Sequence, residues 1–281
     1  MARALTVLLS ILAAANPLLC PVGATPVDTT NTAGQVILGD IDPPNFIDDT
    51  IHPLPYPHPD LDPDPETQTT SPPTWFESAL LARRLLALSK TGSIASTFPP
   101  THPLANHPIT LPEYIADCEP TTSPGNPTLL ALPISTTVRN AASGSNISLS
   151  LDWWAHVGSA PPVFPGFPPS EAGLPRVTLV GYLEKVDFGE EGTDEEDRVR
   201  ECFLEKHPDA RAWLPGRRGA PHESYWARLV VEGVYWVGGF GGLQQIGWVD
   251  LGVWRGVRRE GGEGGIGGDG RGWGDVRLPG E

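Results

Sequence analysis

Between residues 74 and 254 the apolar positions follow two periods, and the flanking stretches follow neither. The helical period comes first: Leu80, Leu81, Arg84, Leu85 and Leu88 follow it, with Ala79, Ala82, Leu86 and Ala87 adding helix propensity. Thr74 followed by Glu77 has the form of a capping box, and Lys90 and Gly92 offer a C-terminal end, so the spacing predicts a helix over 74–89. A period of two then takes over. Residues 93–98 form a short strand with Ile94 and Phe98 on one face, and 109–116 form another in which Pro112 marks a break or a sheet edge. Residues 129–133 are an unbroken apolar run, the pattern of a strand buried on both faces. Residues 135–142 are ambiguous between a turn and a short helix. Strict alternation returns over 147–154 and, longest of all, over 176–186. Val199, Cys202, Phe203 and Lys206 give a second helical stripe, with Asp194 as a cap and Pro208 as a stop.

The richest stretch is 222–251. Residues 225–231 alternate, Glu232-Gly233 has the form of a two-residue turn, and 234–237 supply a return strand, together a hairpin. Gly238-Gly239-Phe240-Gly241-Gly242 ends it, and the apolar pattern resumes over 246–251. Trp226, Trp236 and Trp248 lie here, which predicts the densest part of the core. Strands outnumber helices, so 74–254 reads as one α+β domain, a small antiparallel barrel with a few flanking helices.

Three segments stand outside that domain. Residues 1–24 carry Arg3, an apolar run over 5–15 too short to span a bilayer, and the small residues Val22-Gly23-Ala24, which together read as a secretory signal cut after Ala24. Residues 25–73 are a proline-rich arm, with ten prolines between Pro43 and Pro73, and read as extended and disordered. Residues 255–281 hold eleven glycines and few large apolar side chains; they read as a disordered tail, dispensable for folding. No other stretch is apolar for long enough to be a membrane span.

The signal changes the chemistry of what remains. It removes Arg3 and no acid, taking the formal charge from −15 to −16. A chain this acidic does not draw nucleic acid through its net field. It also removes Cys20 and leaves Cys118 and Cys202. In an oxidising compartment an even pair most simply forms one disulfide, worth on the order of 4 kcal/mol for so long a loop; two free buried thiols are the alternative. Neither cysteine has metal-site spacing. Asn146-Ile147-Ser148 is a glycosylation sequon, and a secretory route would expose Asn146 to the modification. Asp152 and His156 have no nucleophile elbow to serve, and His222 with Glu223 has no nucleophile either. His207 and Asp209, in a His-Pro-Asp turn, read as structural.

Several segments together carry a family resemblance. They are Ala82-Arg-Arg-Leu-Leu, Gly92-Ser-Ile-Ala-Ser-Thr-Phe-Pro, Leu129-Leu-Ala-Leu-Pro-Ile-Ser, Pro175-Arg-Val-Thr-Leu-Val-Gly-Tyr-Leu and Tyr225-Trp-Ala-Arg through Gly238-Gly-Phe-Gly-Gly. With them goes Cys202-Phe-Leu-Glu-Lys-His-Pro-Asp-Ala, whose Lys206-His-Pro-Asp-Ala turn, followed by the Trp-rich hairpin and Phe-Gly-Gly, is the most specific part. Over 74–254 the chain resembles the CREG-type branch of the pyridoxamine 5′-phosphate oxidase-like proteins, in particular its secreted fungal members. The resemblance implies the FMN-binding split β-barrel, usually a homodimer with cofactor pockets between subunits. It also implies a secreted or endolysosomal (vacuolar) glycoprotein that meets a protein partner or receptor and lacks flavin chemistry.

In flavin-binding relatives the phosphate is held by hydroxyl and basic residues on adjacent strands, and one signature is a hydroxyl followed by two basic residues after a buried strand. The matching place here reads Ser135-Thr136-Thr137-Val138-Arg139-Asn140: the hydroxyls are present and the basic pair is not. Ser96 and Thr97 on the first strand add hydroxyls and no cation. Ser96, Thr97, Ser135, Thr136 and Arg139 are therefore a vestigial phosphate site, and the expectation is no bound cofactor. Two alternatives stay open at this stage: an FMN-dependent oxidoreductase, and a module for haem or another planar ligand in the same cleft.

Overall fold

A computed structural model describes residues 72–118, 123–158, 169–189, 194–240, 243–262 and 269–281. The signal segment and the proline-rich arm up to Ser71 lie outside the described residues.

Helix α1, Trp75–Leu88, begins as its sequence predicts. Thr74 accepts from the Glu77 amide at 3.2 Å, and Glu77 accepts from the Thr74 amide at 3.0 Å. Its end differs from the expectation. Ser89 folds back on the Leu85 carbonyl, and the cation that satisfies the last turn is Lys206, whose Nζ donates to Ala87 O at 2.6 Å and Ser89 O at 3.1 Å. Gly92 lies within the next strand, where a Cβ would stand 2.4 Å from Leu149 and 2.6 Å from Leu151.

The strands are β1 (Thr91–Thr97), β2 (Pro108–Tyr114), β3 (Thr128–Ala131), β4 (Ile147–Asp152), β5 (Arg176–Lys185), β6 (Tyr225–Val237) and β7 (Ile246–Val249). They form one antiparallel sheet in the order β2-β1-β4-β5-β6-β3, with β7 also paired to β6. Pro112 does sit on a terminal strand, opposite Ser93. The sheet curls until its two ends meet at a single bridge, Ala116 to Thr128, with amide bonds of 3.0 and 2.7 Å. This is a split barrel. Its core is filled by Ile94, Leu149, Leu179, Leu229, Val231 and Trp236 from the strands and by Leu80, Leu85 and Leu86 from α1, which packs against it. β3 is buried on both faces, as its unbroken apolar run predicts. The ambiguous segment is a helix, α2, Thr136–Ala142.

The predicted hairpin at Glu232-Gly233 is not there: β6 runs unbroken for 13 residues. A two-residue turn needs a positive φ, which Gly233 does not take. β5 instead offers a partner along the whole length, from Arg176 opposite Val237 to Lys185 opposite Ala227. The register slips between Val180 and Gly181, which face Gly233 and Val231, so Glu232 is the extra residue of a bulge. Gly181 permits the close approach there, since a Cβ would lie 1.9 Å from Val230 O. The real hairpin joins β6 to β7 across the glycine run. Trp226 and Trp236 are core residues, but Trp248 is 54% exposed, because β7 places it beside Tyr235 on the outer face of the sheet.

A second, smaller core lies under α3, Asp194–Lys206, where Val199 and Phe203 pack with Ala210, Leu130 and Trp226. His207 is structural, as expected: it is buried, bonds Ile115 O at 2.9 Å and stacks on Tyr114 at 4.3 Å between ring centroids. Asp209 accepts from the Tyr114 hydroxyl at 2.9 Å. Cys118 and Cys202 are joined in a disulfide that ties α3 to the segment after β2. Next to it, Asp117 pairs with Arg83 of α1 at 3.0 Å, both side chains almost wholly buried, and the Arg83 guanidinium lies 5.0 Å from the centroid of Trp254.

The expectation of a disordered tail fails for the described residues beyond 254. After α4, Leu251–Gly256, Val257, Val276 and Leu278 are buried in the main core. Arg84 of α1 donates to both carboxylate oxygens of Glu281 and to Trp273 O, and Trp153 Nε1 donates to Pro279 O at 2.7 Å. The glycines that suggest disorder are there for contact. A Cβ on Gly261 would meet Gly270 O at 1.7 Å, and one on Gly272 would meet Arg259 O at 2.3 Å. Two glycine-rich backbones lie against each other where side chains would hold them apart.

Candidate functional site

The five residues singled out from the sequence fall at the end of β1 and on α2. Ser96 is buried, and its hydroxyl accepts from Asn140 Nδ2 at 3.0 Å. The Thr97 amide donates to Ser145 Oγ at 2.9 Å, and the two hydroxyls stand 3.1 Å apart. Ser135 is the N-cap of α2, its hydroxyl accepting from the Val138 amide at 3.1 Å. Thr136 opens the helix half-buried, and Arg139 is exposed on it.

The structure brings Ser96 and α2 together through Asn140, not through Arg139. Thr137, Val138 and Asn140 are the buried side of α2, and Arg139 points away from it. The one cation and the strand hydroxyl are therefore on different faces of the helix.

Glu113 is the residue that the motif search missed. On β2 it stands opposite Gly92, half-buried, and it faces Thr137. Burial pushes its carboxyl above the ordinary range, and contact with Thr137 acts the other way. The signal was present in the sequence. Ile109, Leu111, Glu113 and Ile115 are in phase, so a carboxylate sits where an apolar residue is expected.

A flavin phosphate carries close to two negative charges and needs charge-assisted donors to leave water. Here exposed Arg139 is the one basic residue of α2 and lies off the buried side that meets Ser96 through Asn140, and a half-buried carboxyl, Glu113, stands by Thr137 on that side. These residues do not fit that group. Among the described residues no cluster of three or more metal-ligating side chains occurs, and no helix is long and apolar enough to cross a membrane.

A second feature lies on the outer face of the sheet. The register sets Tyr182 beside Val230, Val180 beside Gly233, Tyr235 beside Trp248, and Val237 beside Ile246. Tyr182, Ile246 and Trp248 are 39%, 44% and 54% exposed, so an apolar surface runs across β5, β6 and β7. Asn146 is exposed in the turn before β4.

A family model described as "CREG, beta-barrel" matches residues 73–252. No curated protein matches. Among solved structures, a protein of unknown function from Agrobacterium tumefaciens is 26% identical, with 59% of this chain and 58% of that chain covered and a TM-score of 0.41. A heme binding protein from Mycobacterium smegmatis is 19% identical over 66% of this chain and 62% of its own, with a TM-score of 0.46. This chain thus spans less than two thirds of either protein. A protein of the pyridoxinephosphate oxidase family from Clostridium acetobutylicum is 12% identical over 58% of this chain and 89% of its own, with a TM-score of 0.35.

Proposed function

The chain belongs to the CREG β-barrel family, and from that premise we propose that it is a secreted, homodimeric glycoprotein that acts by binding a protein partner, without flavin catalysis. One observation carries the reading: exposed Arg139 is the one basic residue of α2 and lies off the buried side that meets Ser96 through Asn140, while Glu113 brings a carboxyl to that side. A site so arranged gives a dianionic phosphate too few charge-assisted partners. The apolar face of β5, β6 and β7 supports association, since a second copy can cover it by isologous contact. Exposed Asn146 supports glycosylation on a secretory route.

The test joins spectroscopy and mass. The purified protein should be colourless, and FMN or haemin added at low micromolar concentration should keep its free spectrum. Light scattering should give a dimer that Tyr182→Arg with Trp248→Arg converts to a monomer. A yellow protein that loses its flavin on Arg139→Ala would replace this reading with an FMN-dependent oxidoreductase. A protein that binds haemin stoichiometrically would replace it with a planar-ligand module.

A further inference from the structure

We propose that Arg217-Arg218 is a proteolytic maturation site, cut after Arg218 by a serine endoprotease whose pockets take two successive basic side chains. The product is a two-chain protein with no covalent link between its chains. The inference rests on the secretory route proposed above, along which such an enzyme would meet the chain.

The sequence holds three adjacent arginine pairs: Arg83-Arg84, Arg217-Arg218 and Arg258-Arg259. A protease reads an extended backbone whose side chains are free to enter its pockets, and the fold withholds two of the three. Arg83 and Arg84 are buried on α1 and bonded to Asp117 and Glu281. Arg258 and Arg259 are exposed, but their carbonyls accept from the Trp273 and Gly274 amides, both at 2.8 Å, and Val257 just before them is buried in the core. Arg217 and Arg218 are exposed together with Gly216 and Gly219 on either side. Among the described residues neither of these two arginines pairs with a carboxylate.

Their loop is tied at its base and weakly held at its tip. Ser224 Oγ donates to Trp213 O at 2.6 Å, which closes the two ends of residues 214–223 on each other. Inside, Arg217 N donates to Leu214 O at 3.2 Å and Ala220 N to Arg217 O at 3.3 Å, local turns at the long end of the range for amide bonds. Arg217 Nη1 adds a bond to Arg211 O at 2.8 Å. Opening these contacts exposes no core side chain, so the tip can extend while the barrel stays folded. Gly216 and Gly219 have φ of +69° and +74°, and a glycine can swing from there to the extended form without a Cβ to obstruct it.

A cut there spares what holds the domain together. Cys118 and Cys202 both precede it, and residues 219–281 contain no cysteine, so no disulfide joins the two pieces. The second piece stays by its own contacts. It supplies β6, laddered to β5 from Ala227 to Val237 and to β3 from Tyr225 to Arg228. It also supplies Val257, Val276 and Leu278 to the main core.

Incubation of the purified full chain with a serine endoprotease that cleaves after Arg-Arg tests the site. Mass spectrometry should find one cut, after Arg218. The product should elute as a single species on gel filtration, yet run as two chains on a denaturing gel without reductant. Arg218→Gln should slow the cut at least about a hundredfold, because a pocket built for a guanidinium is left with an unpaired charge. Arg217→Lys keeps two basic groups and should be cut like the natural chain, which separates lost recognition from lost folding. Arg258→Gln with Arg259→Gln should change nothing. Protein recovered from the medium of eukaryotic cells that carry such an enzyme should already be in two chains. The proposal is overturned if the purified chain resists the enzyme, if it is cut as fast after Arg259, if the two pieces part on gel filtration, or if the chain reaches the medium intact. That last result would leave the secretory reading standing. A chain kept inside the cell with residues 1–24 still attached would overturn the secretory reading, and this inference with it.

Discussion

Arg84 and Glu281, separated by 197 residues, form a two-pronged ion pair that fixes the C-terminal segment to the first helix of the barrel. The pair is mostly shielded, with side chains 10% and 20% exposed, and Arg84 adds a bond to Trp273 O. The segment it holds contributes Val276 and Leu278 to the core.

Truncation after Trp254 should therefore destabilise the domain. Burial of a large aliphatic side chain contributes about 1.5–3 kcal/mol. The loss of Val257, Val276 and Leu278 should lower the melting temperature by at least roughly 6 °C for a domain of this size. Differential scanning calorimetry of the full and shortened chains decides it, and equal melting temperatures would contradict the packing. Acid should loosen the same contact. The Arg84 guanidinium bonded to Glu281 holds its carboxyl below the ordinary range. Its contribution is thus present above the unfolded carboxyl pKa and is lost as pH falls through the lowered one.

Glu113→Gln should act in the opposite sense. Burial raises the Glu113 pKa in the folded state, so the wild-type side chain favours folding below its unfolded pKa and loses that advantage as pH rises through the raised value. The glutamine variant should be the more stable at neutral pH, and the difference should vanish below about pH 4. Urea melts at several pH values test this; a destabilised variant at neutral pH would show that the carboxylate is bonded rather than merely buried.

Gly181→Ala should disrupt the bulge between β5 and β6. The added Cβ would lie 1.9 Å from Val230 O, a backbone atom that cannot turn aside. A cost on the order of 1–3 kcal/mol is expected from such overpacking. Gly144→Ala is a useful contrast. There the Cβ meets nothing within 4 Å, but φ is +96°, so only backbone strain is added. A Gly181 variant as stable as wild type would mean that the two strands are not in this register.

The parts of the fold that could be read from sequence are those in which local chemistry decides the outcome. Thr74 and Glu77 cap α1 because the motif is complete within four residues, and alternation over 147–152 and 176–185 places β4 and β5. Glu232-Gly233 misleads because a turn and a bulge use the same residues, and only the length of the partner strand separates them. The tail misleads for a related reason: glycine chosen for backbone contact looks the same in sequence as glycine chosen for freedom. At the site, the phase of Glu113 with Ile109 and Leu111 was legible. The bonding of Ser96 to Asn140 was not, because it joins residues 44 apart in the chain.

The bridge that closes the barrel concentrates its mooring on one short stretch. Ala116 is bonded to Thr128, Asp117 to Arg83 and Cys118 to Cys202, three successive residues each riveted to a different element. At the other end of β2 the turn back to β1 is closed by Phe98 N donating to His107 O at 3.1 Å and Asn106 N to Phe98 O at 3.0 Å. β2 is thus moored at both ends and laddered to β1 between them, so a force that opens the barrel along the β2–β3 split loads residues 116–118 before it reaches that ladder.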